Sequence, residues 1–161
     1  MIHLRDATAE DIPTIVALNE EVVSVTSPMD ADRFQELWEL SAQCVVAEQN
    51  GAVIGFVLAM QAGANYVNGN FHWFSERLNN FVYVDRIVIS QDGRGHGLGG
   101  RMYQHVAEAA QKDGCLVMSA ELDLEPPNEP SLRFHEKQGF VRLGVRALES
   151  GKLVSMQIKG L

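Results

Sequence analysis

The sequence has few of the residues that mark secreted, metal-binding or nucleic-acid-binding proteins. Its only two cysteines, Cys44 and Cys115, lie in apolar surroundings without metal-ligand spacing, so we expect reduced side chains that pack in the interior. The five histidines show no paired spacing that would hold zinc. Thirteen lysines and arginines against 21 acidic residues give a net charge of −8. This charge argues against nucleic acid and against an anionic membrane as the main partner.

Long apolar segments are also lacking. No apolar run approaches the ~20 residues that span a bilayer, and the first residues lack the basic-then-apolar order of a secretion signal. We therefore expect a cytoplasmic protein. The 161 residues, of which 46% are hydrophobic, are enough for one domain, 1–161, with a core of its own. Its acidic surface would weakly attract a cationic substrate such as an amine, although the same charge also serves solubility.

The first half of the chain shows a strand, two helices and a hairpin. Residues 2–5 resemble a short strand, and Asp11 is expected to cap the next helix, because Pro13 is tolerated only in a first turn. A second helical segment surrounds Phe34. Asn50-Gly51 joins two strand-like runs, as in a type I′ hairpin turn.

The second half alternates strands with helices. Strand-like runs lie at 81–89, 116–122, 140–145 and 153–158, and helical patterns follow residues 98 and 128. The stretch 61–80 shows no regular pattern and is long for a simple connection. The order of elements predicts an α/β fold: a mixed, mostly antiparallel, twisted sheet of about seven strands flanked by about four helices.

A glycine cluster separates the strand at 81–89 from the helix after residue 98. The first N–H groups of a helix have no partners within it, and the helix dipole adds roughly half a positive charge there. Glycines let the backbone approach a phosphate, and Arg94 adds a charged donor. The alternative is a glycine-rich turn that merely joins two elements. Neither a Walker loop nor a dinucleotide fingerprint fits, because Gly99 precedes Gly100-Arg101 and the loop follows a hairpin.

Four segments resemble one family in the right order. Arg94-Gly95-His96-Gly97-Leu98-Gly99 resembles the Arg/Gln-x-x-Gly-x-Gly/Ala signature of the GCN5-related N-acetyltransferases. Ile87-Val88-Ile89 resembles that family's central strand, and the run from Asn128 to Phe140 resembles its second cofactor segment. The opening residues, 4–18, resemble its first strand and helix. The match covers nearly the whole chain. More narrowly, the chain resembles a bacterial branch of the superfamily.

This resemblance implies a sheet whose fourth and fifth strands splay apart to form a central cleft. It also implies acetyl-CoA as co-substrate, no metal, and direct transfer of the acetyl group to a primary amine of a small molecule, an amino acid or a protein. A homodimer is compatible with it. The alternatives are a module that senses acyl-CoA without turnover and an acyltransferase that uses another acyl chain. The residues implied in cofactor binding are Ile87, Val88, Ile89, Arg94, Gly95, His96, Gly97, Leu98, Gly99, Asn128 and Ser131.

Direct acetyl transfer requires an amine to lose its proton, a carbonyl to be polarised and a thiolate to be stabilised. Strand alternation predicts that Asp85 shares a face with Ile87 and Ile89, so Asp85 is one candidate base. Glu121, on the neighbouring strand, is the other. In the alternative interpretation, Asp85 pairs with Arg86 or Arg142 and has a structural role.

Two further features depend on the resemblance. His135 stands where the family usually has a tyrosine that is thought to protonate the leaving thiolate. His135 either replaces this acid or only contacts the cofactor or neighbouring backbone. The aromatic stretch 66–80 is expected either to bind the acceptor or to pack as a local cluster, and the candidate acceptor-binding residues are Tyr66, Trp73 and Tyr83.

Overall fold

A computed structural model describes residues 1–161. Its strands and α-helices follow in the order β1 (Ile2–Asp6), α1 (Ile12–Glu21), α2 (Ala31–Leu40), β2 (Gln43–Gln49), β3 (Ala52–Gln61), α3 (Gly69–Ser75), β4 (Phe81–Ile89), α4 (Leu98–Lys112), β5 (Val117–Glu125), α5 (Glu129–Lys137), β6 (Val141–Ala147) and β7 (Leu153–Gly160). The strands form one sheet in the order β1-β2-β3-β4-β5-β7-β6, which is antiparallel except between β4 and β5. The predicted mixed α/β fold is confirmed. No helix has the length and apolar character needed to cross a membrane.

The β2–β3 hairpin and the start of α1 lie where the sequence predicts them. Asn50 and Gly51 have φ values of 52° and 80°, and the two strands beside them pair as a hairpin. Asp11 is the residue before α1, and Pro13 lies in the first turn of that helix. The start of the helix is as predicted, but the Asp11 side chain does not cap it, because the carboxylate accepts hydrogen bonds from the Arg5 guanidinium and the Thr8 N–H instead.

Helix α3 was not predicted, so the fold has five α-helices rather than about four. The Asn68 side chain accepts a hydrogen bond from the Phe71 N–H at 3.0 Å and caps the helix. Phe71 and Phe74 are buried, and a Cβ added to Gly144 of β6 would lie 2.9 Å from the Trp73 ring. Contacts with a strand that is distant in sequence therefore stabilise α3, and a local pattern does not reveal them.

The two faces of the sheet carry separate groups of helices. Helices α1, α2 and α3 cover one face, with buried residues that include Ile15, Phe34 and Phe74. Helix α4 covers the other face through Met102 and Val106. Each face therefore has its own hydrophobic core, and the middle of the sheet is buried on both sides, whereas the edge strand β6 is largely exposed.

Strands β4 and β5 separate part-way along their length. They pair in parallel only where 81–83 lie beside 117–119, although β4 continues to Ile89 and β5 to Glu125. Beyond Tyr83 and Ser119 the two strands leave a gap in the sheet. This gap is the predicted splayed cleft, and it connects the two faces of the molecule.

A β-bulge at Asp85 changes the faces of β4. Leu58 pairs with Arg86 and Ala59 pairs with Val84, so Asp85 has no partner on β3. The prediction that Asp85 shares a face with Ile87 and Ile89 is therefore wrong. The extra residue keeps Asp85 on the α1 side and turns Ile87 and Ile89 toward α4.

Candidate active site

The gap between β4 and β5 is a cavity of about 580 Å³. On the α4 side its walls are Ile87, Ile89, the glycine loop and the start of α5. On the α1 side they are Arg86, Glu121 and the segment after α1. A molecule bound on one side can thus meet a molecule bound on the other through the opening in the sheet.

The glycine loop leaves the backbone accessible where β4 leads into α4. Gly95 and Gly97 have φ values of 82° and 68°, and nothing lies within 4 Å of a Cβ added to either. Gly97 precedes α4 with no side chain capping the helix, and the first intrahelical bond runs from the Arg101 N–H to the Gly97 carbonyl. The preceding N–H groups are therefore available to an anion.

Gly99 has a second reason to lack a side chain. A Cβ at this position would lie 2.8 Å from the Phe134 ring of α5, which packs over the start of α4. The loop glycines therefore keep both the phosphate side and the helix contact free of side-chain atoms.

The structure brings ten of the eleven sequence-predicted cofactor residues to the wall of the cavity. The exception is His96, whose side chain is exposed and lies outside the lining. Asn128 caps α5, because its Oδ1 accepts a hydrogen bond from the Ser131 N–H at 3.4 Å. These residues form a continuous path from the gap in the sheet to the start of α4, which suits an elongated molecule with a phosphate at one end.

Glu121 lies on the α1 side of the cavity and accepts a short hydrogen bond from the Tyr83 hydroxyl. Its carboxylate is partly open to the cavity but surrounded by protein. Burial raises the pKa of Glu121 to about 8, against the lowering effect of the Tyr83 hydroxyl. A carboxyl group with such a pKa is ionised in part near pH 8, and the ionised form is basic enough to take a proton from an amine.

Asp85, the other predicted base, has both oxygens occupied. Oδ1 accepts the Tyr66 hydroxyl at 2.5 Å, and Oδ2 accepts the Arg86 Nε–H at 2.7 Å. The Asp85 side chain is 4% exposed and is absent from the cavity wall. The geometry matches the alternative in which Asp85 is the partner of Arg86.

His135 is buried and held at both ring nitrogens. Nδ1 lies 2.7 Å from the Ser131 carbonyl, to which it can only donate, so Nε2 accepts the Tyr103 hydroxyl at 2.6 Å. Burial lowers the pKa of His135, so the ring is neutral at physiological pH. Both ring nitrogens are therefore used within the protein, and neither carries a hydrogen directed into the cavity.

None of the three predicted acceptor-binding aromatics lines the cavity. Tyr66 and Tyr83 are buried and donate their hydroxyls to Asp85 and Glu121. Trp73 packs against β6, with the Arg77 guanidinium 3.7 Å above its ring. The stretch 66–80 therefore packs as a local aromatic cluster.

Sequence reasoning missed several parts of the cavity wall. Tyr103 is among them, and so is the segment after α1, with Val22, Val25 and Thr26. Tyr103 lies one position after Met102 in the apolar pattern of α4, so the sequence gives no sign that it differs from other residues of an amphipathic helix. The segment after α1 contains no motif, and only its position in the fold brings it to the site.

Comparison with known proteins identifies the family. Residues 12–140 match the model of the Acetyltransferase (GNAT) family. The chain belongs to this family. Two solved structures that resemble the chain contain acetyl-CoA or CoA, and the chain is an acyl-CoA-dependent acetyltransferase.

Two curated relatives are named for the compounds that they acetylate. The L-methionine sulfoximine/L-methionine sulfone acetyltransferase of Pseudomonas paraeruginosa is 29% identical over 149 residues, which cover 85% of this chain and 78% of the relative. The phosphinothricin N-acetyltransferase of Streptomyces viridochromogenes is 23% identical over 156 residues, which cover 89% and 76%.

Solved structures show the same fold. Ard1 from Thermoplasma volcanium has a TM-score of 0.80 at 14% identity, covering 99% of this chain and 97% of that one. The structure of yncA from Salmonella typhimurium with its cofactor acetyl-CoA has a TM-score of 0.74 at 20% identity, covering 100% and 94%.

Proposed function

We propose that this acetyltransferase acts on the primary amine of a small, amino-acid-like molecule and that Glu121 is its general base. The observation that carries the proposal is the position of Glu121. It lies on the cavity wall opposite the glycine-loop side, with a pKa raised to about 8. The substrates named for the two curated relatives support the acceptor class. Since acetyl-CoA is a cytoplasmic metabolite, its use supports the predicted cytoplasmic location.

The cofactor side fits acetyl-CoA by its own geometry. The open backbone at Gly95 and Gly97, beside Arg94 and the start of α4, suits a pyrophosphate. The β4 edge at Ile87 and Ile89 no longer pairs with β5 and offers backbone groups to the amides of the pantetheine arm. Acetyl-CoA supplies the acetyl group and the thiolate leaving group.

The protein's contribution to the reaction is proton transfer and orientation. The ammonium of the acceptor gives one proton to the Glu121 carboxylate, and the free amine then bonds to the acetyl carbon as the carbon–sulfur bond breaks. The second N–H proton passes to the departing sulfur, so the products are an amide, a thiol and one proton released to solvent. Tyr83 holds Glu121 in place by donating its hydroxyl to the carboxylate.

A thiol-release assay tests this proposal. The parent enzyme would receive acetyl-CoA with L-methionine sulfoximine, L-methionine sulfone, phosphinothricin and a panel of simple amines. Glu121→Gln should lower kcat/KM by about 100-fold or more, the usual effect of losing a general base. Glu125→Gln is the matched control, since Glu125 is exposed at the end of the same strand.

The remaining alternatives have distinct outcomes in this assay. Binding of acetyl-CoA with no thiol released from any amine would favour a sensor module. Faster turnover with a longer acyl-CoA would identify another acyl donor. Full activity of Glu121→Gln would remove Glu121 as the base.

A further inference from the structure

The segment between α1 and α2 forms the outer wall of the cavity on the α1 side. Val22, Val25 and Thr26 line the cavity there, and the Val25 side chain is 45% exposed at its mouth. The segment continues from the end of α1 as turns, in which the Val25 and Thr26 N–H groups donate to the Val22 carbonyl, and no strand pairing joins it to the sheet. Side-chain contacts therefore connect it to the sheet.

One buried arginine of β4 supplies the hydrogen bonds between this segment and the sheet. Arg86 is 8% exposed and donates from one terminal nitrogen to the Asn19 Oδ1 and the Ser27 carbonyl, each at 3.1 Å. Its other terminal nitrogen donates to the Ser27 Oγ at 2.9 Å. The Asn19 amide also donates to the Ser27 carbonyl, at 3.0 Å. Ser27 is therefore held through both its carbonyl and its hydroxyl.

The bulge in β4 explains why an arginine can reach this position. The extra residue at Asp85 places both Asp85 and Arg86 on the α1 side, where Asp85 neutralises the guanidinium through Nε at 2.7 Å. The second oxygen of Asp85 accepts the Tyr66 hydroxyl. A planar guanidinium with a fixed counter-charge has little freedom to move, which suits it to hold a loop in one position.

We propose that Arg86 is a positioning residue for the acceptor: through Ser27 it holds the wall formed by Val22, Val25 and Thr26 beside Glu121. This inference rests on the proposed function. The wall limits the space available to the acceptor body, while Glu121 receives the proton from its amine. The hydrogen bonds from Arg86 to Ser27 act as a clamp on this wall. Loss of the clamp widens the space for the acceptor and weakens acceptor binding, whereas the glycine loop on the other side of the sheet is unaffected.

The test uses Ser27→Ala, which removes one bond to Arg86 and leaves the fold intact. Ser24→Ala is the matched control, because Ser24 is exposed in the same segment and does not line the cavity. Amide hydrogen exchange over residues 22–30 should be about tenfold faster in Ser27→Ala, as expected when a bond to a charged group is lost. Ser24→Ala should match the parent. Equal exchange in all three proteins would overturn the clamp, and this readout requires no acceptor.

Steady-state kinetics test the consequence for the acceptor. With any panel amine that the parent acetylates, Ser27→Ala should raise the acceptor KM several-fold, and Arg86→Lys should raise it further. The dissociation constant of acetyl-CoA should stay unchanged. An unchanged acceptor KM, or an equal loss of acetyl-CoA affinity, would overturn the positioning role. A parent enzyme that acetylates no amine would refute the proposed function instead, while the exchange result still decides whether the clamp exists.

Discussion

At the scale of single residues, Glu121 links stability to pH. Its carboxyl is ionised above about pH 4.5 in the unfolded chain but only above about pH 8 in the folded protein. Between these values the folded state holds a proton that the unfolded state has lost. The contribution of Glu121 to the free energy of unfolding therefore falls as pH rises from 4.5 to 8 and is level above that.

The variant Glu121→Gln should remove this dependence. Glutamine keeps an acceptor for the Tyr83 hydroxyl but cannot ionise, so the variant should gain stability relative to the parent as pH rises from 5 to 8. Urea unfolding at pH 5, 6.5 and 8 measures the difference. Glu125→Gln, on the exposed end of the strand, should differ from the parent by the same amount at every pH. A pH-independent difference for Glu121→Gln would show that its pKa is not raised.

His135 and Tyr103 should behave as a coupled structural pair. His135→Phe leaves the buried Tyr103 hydroxyl without its acceptor, and Tyr103→Phe leaves the His135 Nε2 without its donor. Each single change should cost about 1–3 kcal/mol of unfolding free energy. The double variant should cost clearly less than the two single costs added together, because neither the Tyr103 hydroxyl nor the His135 Nε2 is then left without its partner.

The same variants separate a structural role from a catalytic one. Since the ring is neutral with both nitrogens occupied, the pH–rate profile of His135→Phe should keep its shape from neutral to alkaline pH. Loss of a titration in that profile would return His135 to the list of proton donors. Additive stability effects in the double variant would contradict the coupling.

At the scale of elements, the sequence predicted the turns and helix starts that depend only on neighbouring residues. Asn50-Gly51 needs two positive φ values whatever surrounds it, and the glycines before α4 mark a helix start with open N–H groups. Helix α3 depends on the contact between Trp73 and Gly144, and no local sequence window covers both residues. The bulge at Asp85 cannot be read from alternation either, because a period of two assumes that no residue is inserted.

The glycine loop yields a prediction at this scale. Gly97→Asp places a negative charge where the start of α4 faces a pyrophosphate, so acetyl-CoA affinity should fall by about tenfold or more, or roughly 1.4 kcal/mol. Gly63→Asp is the matched control. Gly63 also has a positive φ, 91°, with nothing within 4 Å of an added Cβ, but it follows β3 at the other end of the sheet. Calorimetric titration of both variants measures the effect, and equal affinities would argue against a pyrophosphate at Gly97.

At the scale of the whole molecule, the gap between β4 and β5 decides how two substrates can meet. In the proposed arrangement acetyl-CoA lies on the α4 side and the acceptor on the α1 side, so neither substrate has to leave before the other binds. The geometry does not support transfer of the acetyl group through an acetyl-cysteine intermediate. Cys44 and Cys115 are buried and do not line the cavity, and burial raises the pKa of each thiol, that of Cys44 to about 12.

We therefore predict sequential kinetics with a ternary complex. Double-reciprocal plots of rate against acceptor, at several fixed concentrations of acetyl-CoA, should intersect, because both substrates occupy the gap together before the acetyl group moves. Cys115→Ser should keep nearly full turnover, and mass spectrometry should detect no acetylated enzyme after incubation with acetyl-CoA alone. Parallel lines together with a stable acetyl adduct would instead require a nucleophile within the protein. Because neither thiol lines the cavity, such an adduct would have to form on a side chain other than Cys44 or Cys115, and the modified peptide would identify it.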